Sequence, residues 1–329
     1  MELGNELILA TKKYAKEDRT QSWLHTIATF SLLTGSYIAG IYPSHWAIQL
    51  FFGVLSGLLL ARAFIIYHDY LHNTILFNSP IAKIMFTLFG FHMLAPVSVW
   101  RRSHDYHHQH NSKLYSSSIG SFPIVTKKKF LEASKKDQLI YLFIRHPLTL
   151  LTGYFFTFAY GMCIRTLLRS PTKHWDAIPA LLYHYGIFFG VYYFFGGQSA
   201  VLGFLLPSLI AGAMGSYLFY AQHNFPDATF QDAKNWSYID AAINSSSFMK
   251  LSPIMHWFTG NIGYHHIHHT NPRIPFYKLP QVYNEMEEFQ QSAKITSLSP
   301  KDILKCLRLK VWDPEVGRMV GLREIYAKA

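Results

Sequence analysis

Three short runs of histidine carry most of the chemistry legible in this chain: His68-Asp69-Tyr70-Leu71-His72, His104-Asp105-Tyr106-His107-His108 and His265-His266-Ile267-His268-His269. Imidazole is a good ligand for transition metals, so clustered rings point to a metal site. Residues three and four apart share a helix face. His68 and His72 therefore face one way, as do His104, His107 and His108, and His265, His268 and His269. His110 and His266 fall off those faces and read as solvent-facing or supporting groups. The remaining eight rings exceed the four ligands of a closed tetrahedral site. A site for two metal ions is the economical expectation. Asp69 and Asp105 each follow a histidine directly, about 100° around the helix. Metal-bound histidines often donate their other N–H to a carboxylate, so both are candidate supports for the ligands.

The elements that must position these rings are apolar. Half of the 329 residues are hydrophobic and only 15% are charged, with a mean hydropathy of +0.09. Four windows have the length a bilayer requires: Trp23 to Ile41, Trp46 to Tyr67, Ile178 to Phe195 and Ser199 to Tyr220. Windows near residues 81–100 and 147–167 are also apolar. The polar N-terminal stretch lacks a signal-peptide pattern. Cys163 and Cys306 form no CxxC, so cysteine-based metal or disulfide chemistry is not expected. The net charge of +11 belongs to residues flanking apolar windows, which fits anionic lipid headgroups better than nucleic acid. A single domain over residues 1–329 is expected, without repeats or linkers.

Charge orients the spans. Between Gln21 and Tyr67 the only Lys or Arg is Arg62, and between Asp176 and Gln222 there is none. Lys12, Lys13, Lys16, Arg19, Arg101, Arg102 and the run from Lys127 to Lys129 lie on the other side. The positive-inside rule then puts both termini and all three histidine runs in the cytoplasm. Clusters meeting at one site must be separated by an even number of crossings. The windows near 81–100 and 147–167 are therefore expected to be interfacial or re-entrant, leaving 68–177 and 221–329 cytosolic. Two helical hairpins cross the membrane in this reading. His223 follows the fourth span at the depth where His68 and His72 follow the second, and becomes a candidate ninth ligand. The expected fold is all-α and integral to the membrane: four transmembrane helices and a cytosolic region holding a dinuclear site.

Beyond the boxes, the segments Trp100-Arg101-Arg102-Ser103-His104, Arg145-His146-Pro147-Leu148 and Phe219-Tyr220-Ala221-Gln222-His223-Asn224-Phe225 carry a resemblance. So does the run from Trp257-Phe258-Thr259-Gly260-Asn261-Ile262-Gly263 through the third box to Pro275. From about Ile65 to Leu322 the chain resembles the membrane-bound fatty acid desaturase superfamily, most closely its bacterial acyl-lipid delta-12/omega-6 members. The resemblance implies a four-helix anchor, a cytosolic helical cap and two iron ions. It implies as ligands His68, His72, His104, His107, His108, His223, His265, His268 and His269. Asn261, four residues before His265, could approach an iron directly or through water. Tyr70-Leu71 inside the first box and Pro226-Asp227-Ala228 depart from the family pattern and leave the position of the double bond open.

Unactivated methylene carbons have no useful acidity, so side-chain acids and bases cannot break their C–H bonds. A metal that activates O2 can, while the protein supplies positioning and excludes water. The expected reaction takes two neighbouring hydrogens from a lipid-linked acyl chain, leaving a cis double bond and water. Trp100, Trp236 and Trp257 are candidates for lining the substrate path, though tryptophan at this depth more often anchors to the interface. No haem-ligand pattern follows Pro275, so electrons are expected from a separate ferredoxin or cytochrome b5-like carrier. A lipid or carotenoid hydroxylase or ketolase would use the same centre. A histidine-rich metal transporter is the remote alternative, disfavoured because transporters place ligands near the bilayer midplane.

Overall fold

The computed structural model describes residues 4–116 and 122–327. Helix α1, Arg19–Ile41, starts at Asp18, whose carboxylate accepts from the Gln21 N–H at 3.0 Å. It ends before Pro43. Helix α2, Trp46–Leu71, returns antiparallel to it. Few polar groups lie between these apolar helices, and they pair with one another. Ser56 donates to Ser36 at 2.8 Å, and the Arg62 Nε donates to the Thr29 hydroxyl at 2.9 Å.

Helices α3, Pro80–His92, and α4, Val97–His110, meet at a bend of 87°. Leu94 has a positive φ of 52°, and Pro96, which lacks an N–H, starts the new helix. This bend turns α4 under the bundle and aims its histidines at the end of α2. Residues Tyr154–Arg165 form a wide π-type helix. Upstream of it Arg145 bonds Asn224, which follows His223. At the other end the Cys163 thiol donates to the Leu94 carbonyl.

Among the described residues, three helical stretches are long and apolar enough to cross a membrane: Arg19–Ile41, Trp46–Leu71 and the 45 residues Ala177–Ala221. A straight helix of 45 residues would run about 68 Å, twice a bilayer core. The chain instead reverses at Gly196, whose φ of 85° and ψ of 173° suit a residue without a Cβ. The rings of His184 and Phe204 consequently lie 5.0 Å apart. Helix α5, Ala177–Ser199, carries this reversal near its end, and a π-type stretch, Ala200–Leu205, continues the returning limb into α6, Leu206–Ala221. Gln198 donates to Gln49 at 2.5 Å and Gln49 to Ser199 at 2.9 Å, tying this reversal to the α1–α2 connection.

The expectation of an all-α chain needs one correction. Phe248–Lys250 pairs in parallel with Ile295–Ser297, and Leu309–Asp313 pairs antiparallel with Arg318–Gly321. Both ladders are only a few residues long, too short for strand periodicity to stand out in the sequence. Away from the ladders, the apolar core runs unbroken from α2, through Leu60, Ile66 and Tyr67, to Trp100 and Phe225 beside the histidines.

Candidate metal centre

All nine histidines expected as ligands converge, and they sort into two groups. His68, His72, His104, His108 and His268 form one, and His107, His223, His265 and His269 the other. Within each group the ligand nitrogens lie within 4.8 Å of one another. Helix geometry explains the sorting. On α4 the i, i+4 pair His104 and His108 serves the first group while His107 serves the second. On helix α7, His265–Thr270, the pair His265 and His269 serves the second group and His268 the first. Each of these helices lies between the two groups and supplies both.

Hydrogen-bond accounting marks the centres of both groups as sites for a cation. Asp69 accepts from the Nδ1–H of His68 at 3.0 Å, leaving the Nε2 lone pair of His68 facing inward. That nitrogen lies 2.7 Å from Nε2 of His104 and 3.2 Å from Nε2 of His72. His223 donates Nδ1–H to the Ser245 carbonyl at 2.8 Å, so its Nε2 is also an acceptor. It faces Nε2 of His107 at 3.1 Å and of His265 at 2.9 Å. Lone pairs aimed at one point cannot all find a proton, but a metal ion satisfies them together.

Burial keeps the rings in the ligating form. It pushes His223 down to about 4, and burial with neighbouring imidazoles pushes His104, His107, His108, His265, His268 and His269 well below the usual histidine value. Neutral imidazole, the form that binds metal, therefore persists well into acid. The nine-nitrogen donor set fits two transition-metal ions better than calcium or magnesium, which prefer oxygen.

The supporting residues divide. Asp69 is buried, and its second oxygen accepts the Phe276 N–H at 2.7 Å. Asp105 lies on the exposed side of α4, facing away from the rings. Asn261 does not share a helix face with His265, because α7 begins only at His265. It occupies a left-handed turn at φ 58° and donates its amide to the Phe276 carbonyl at 3.1 Å. His266, fully buried, reaches the Phe289 carbonyl at 3.2 Å, and His110 stacks on Tyr106 outside the site. Ser245 and Phe276 escape sequence reasoning because these two act through backbone groups, and a third residue, Arg145, shows its role only through distant partners. The third is buried at 0% exposure between Tyr141 and Tyr220, holding Asn224 beside His223.

An apolar cavity reaches this centre. His68, His104 and His265 form one end, and Ala61, Ile65, Ala211, Gly215, Leu218 and Phe219 are among its walls. None of the three tryptophans expected along a substrate path is among its lining residues. Trp100 stacks on His104 with centroids 5.0 Å apart and packs edge-on to Phe64. Trp236 donates to the Asn111 carbonyl at 2.7 Å, and Trp257 lies under the Arg62 guanidinium.

A buried polyhistidine centre beside an apolar slot places metal-binding groups next to a space suited to hydrocarbon. Comparison with known sequences agrees: the family model for fatty acid desaturases matches residues 44–297, and the chain belongs to that family. It is 32% identical over 276 residues to a fatty acid desaturase of Bacillus subtilis (strain 168), covering 83% of this chain and 77% of the relative. It is 21% identical over 280 residues to an sn-1 oleoyl-lipid 12-desaturase of Synechocystis, covering 84% and 79%. A chloroplastic omega-6 fatty acid desaturase of Spinacia oleracea is 21% identical over 274 residues, covering 82% of this chain and 60% of its own length. The protein is thus an oxidoreductase acting on fatty acyl lipids, with histidine clusters able to hold metal and apolar helices suited to a membrane.

Proposed function

We propose that this enzyme is an O2-dependent di-iron desaturase that introduces a cis double bond into a lipid-linked acyl chain, in the manner of delta-12/omega-6 enzymes. The observation that carries this reading is the abutment of an apolar slot on two groups of neutral imidazoles. Two iron ions, held by His68, His72, His104, His108 and His268 and by His107, His223, His265 and His269, would supply the oxidising power that side chains lack. The protein's own contribution is placement. Asp69 and the Ser245 carbonyl fix the tautomers and ring planes of His68 and His223. Phe219, Leu218 and Ile65 line the slot with hydrocarbon and keep water from the reacting carbons. Trp100 backs His104 and holds its ring in plane.

Desaturation removes two hydrogens from the chain and reduces O2 to water, so two electrons and two protons must come from outside. The reading therefore includes a separate electron carrier, ferredoxin or cytochrome b5-like, as the donor. The names of the Synechocystis and spinach relatives support the delta-12/omega-6 assignment.

The proposed topology has four spans, α1, α2, α5 and α6, with both termini and the metal centre in the cytoplasm. Its support is the ladder of Gln49, Gln198 and Ser199 joining both helix connections at the end remote from the histidines, and the absence of Lys or Arg there. Residues 68–177 and 221–329 form the cytosolic part, and the 87° bend in 80–110 supports an interfacial course for that segment.

Fatty-acid profiling of a host expressing the chain tests the reading. New cis double bonds are expected, and they should vanish in a His107→Ala variant. New hydroxyl or keto groups in their place would favour oxygen insertion and overturn desaturation.

A further inference from the structure

We propose that the contact of Ile210 on Gly57 is the stop that sets how long an acyl chain this enzyme accepts, an inference that rests on the reading above. Gly57, Ala61, Ile65 and His68 are spaced by four, four and three residues and follow one face of α2. Ala211, Gly215, Leu218 and Gln222 do the same on α6. All of these except Gly57 line the apolar cavity, which is therefore a slot between the two helices, running toward the metal histidines.

The slot ends where the helices close on each other. A Cβ built on Gly57 would sit 2.7 Å from Cβ and 2.8 Å from Cγ2 of Ile210. The Ile210 side chain rests directly on bare α2 backbone. One turn further from the histidines, a Cβ on Gly53 would meet the Leu202 carbonyl oxygen at 2.2 Å, so nothing passes beyond. From His68 to Ala61, where the lining of the cavity on α2 stops, is seven residues, about 10 Å of helix, and the Gly57–Ile210 contact closes the next turn. A blind apolar end of this kind takes the methyl end of a chain, because a polar headgroup buried there would lose water without gaining a partner. Ile210 is consequently the side chain whose removal lengthens the slot. Ala61 is a small wall residue whose enlargement shortens it.

The full chain is expressed in a host whose lipids span several acyl lengths, and the desaturated products are sorted by length. Ile210→Ala should raise the ratio of longer to shorter products, roughly tenfold for a pair differing by two methylenes. Ala61→Leu should move the ratio the other way. Should Ile210→Ala fail to accumulate, Ile210→Val gives the same direction at smaller size. If the variants are active and present at wild-type level with an unchanged length profile, the stop is overturned and the desaturase reading stands. If the wild-type chain makes no new double bond in any lipid, the desaturase reading falls and the stop falls with it.

Discussion

Asp69 uses its two carboxylate oxygens on two partners, the His68 ring and the Phe276 backbone N–H. It therefore links the first histidine run to the segment that follows the third. Asp69→Asn should lower metal affinity by about 10- to 100-fold, read as metal retained after a chelator challenge. Asp105→Asn should retain metal like the parent, since Asp105 is exposed on the far side of α4. The division of the ligands makes a sharper claim. His223 belongs to the four-ring group alone, so His223→Ala should lose one ion and keep the other. Metal analysis of the purified variant should then approach half the parent content. Loss of both ions together would show that the two groups do not hold metal independently.

At the scale of elements, the positions that matter are those where a helix turns. Gly196 takes a φ of 85° at the reversal near the end of α5. Gly196→Val would force a branched side chain into that geometry at a cost of about 1–3 kcal/mol. A lowered thermal midpoint of the detergent-solubilised protein checks this. The bend between α3 and α4 serves the site differently. It brings the i, i+4 and i+3 rings of α4 beneath the end of α2, so that one helix can supply both groups. The spacing HxxHH already contained this capacity. Which ring goes to which group depended on where α7 came to lie.

Taken whole, the molecule surrounds many uncharged imidazoles with apolar structure, and this makes its stability sensitive to acid. The unfolded chain protonates these rings near 6.5 while the folded protein holds His223 neutral to about 4 and its neighbours below their usual value. The unfolded state then binds more protons in this window, so folding stability is present above about pH 6.5 and declines as pH falls toward 4. Metal-free protein should show a falling thermal midpoint from pH 7.5 to 5. Metal loading should raise the midpoint by a similar amount across that window, because the folded rings are already neutral and need not lose protons to bind.

Much of this was determined by sequence alone. Histidine spacing is a local property, and helix periodicity converts it directly into a shared face, so eight of the rings stood out before any fold was known, while His223 was singled out only by its place after the fourth apolar window. The long apolar windows were equally plain, because membrane-length helices follow from composition over some twenty residues. Tertiary structure decided what depends on contacts between distant segments. The partition of nine rings into five and four, the choice of Asp69 over Asp105, the left-handed turn at Asn261 and the slot between α2 and α6 all arise that way. No pattern within one helix encodes them, because each is set by the surface that another helix presents.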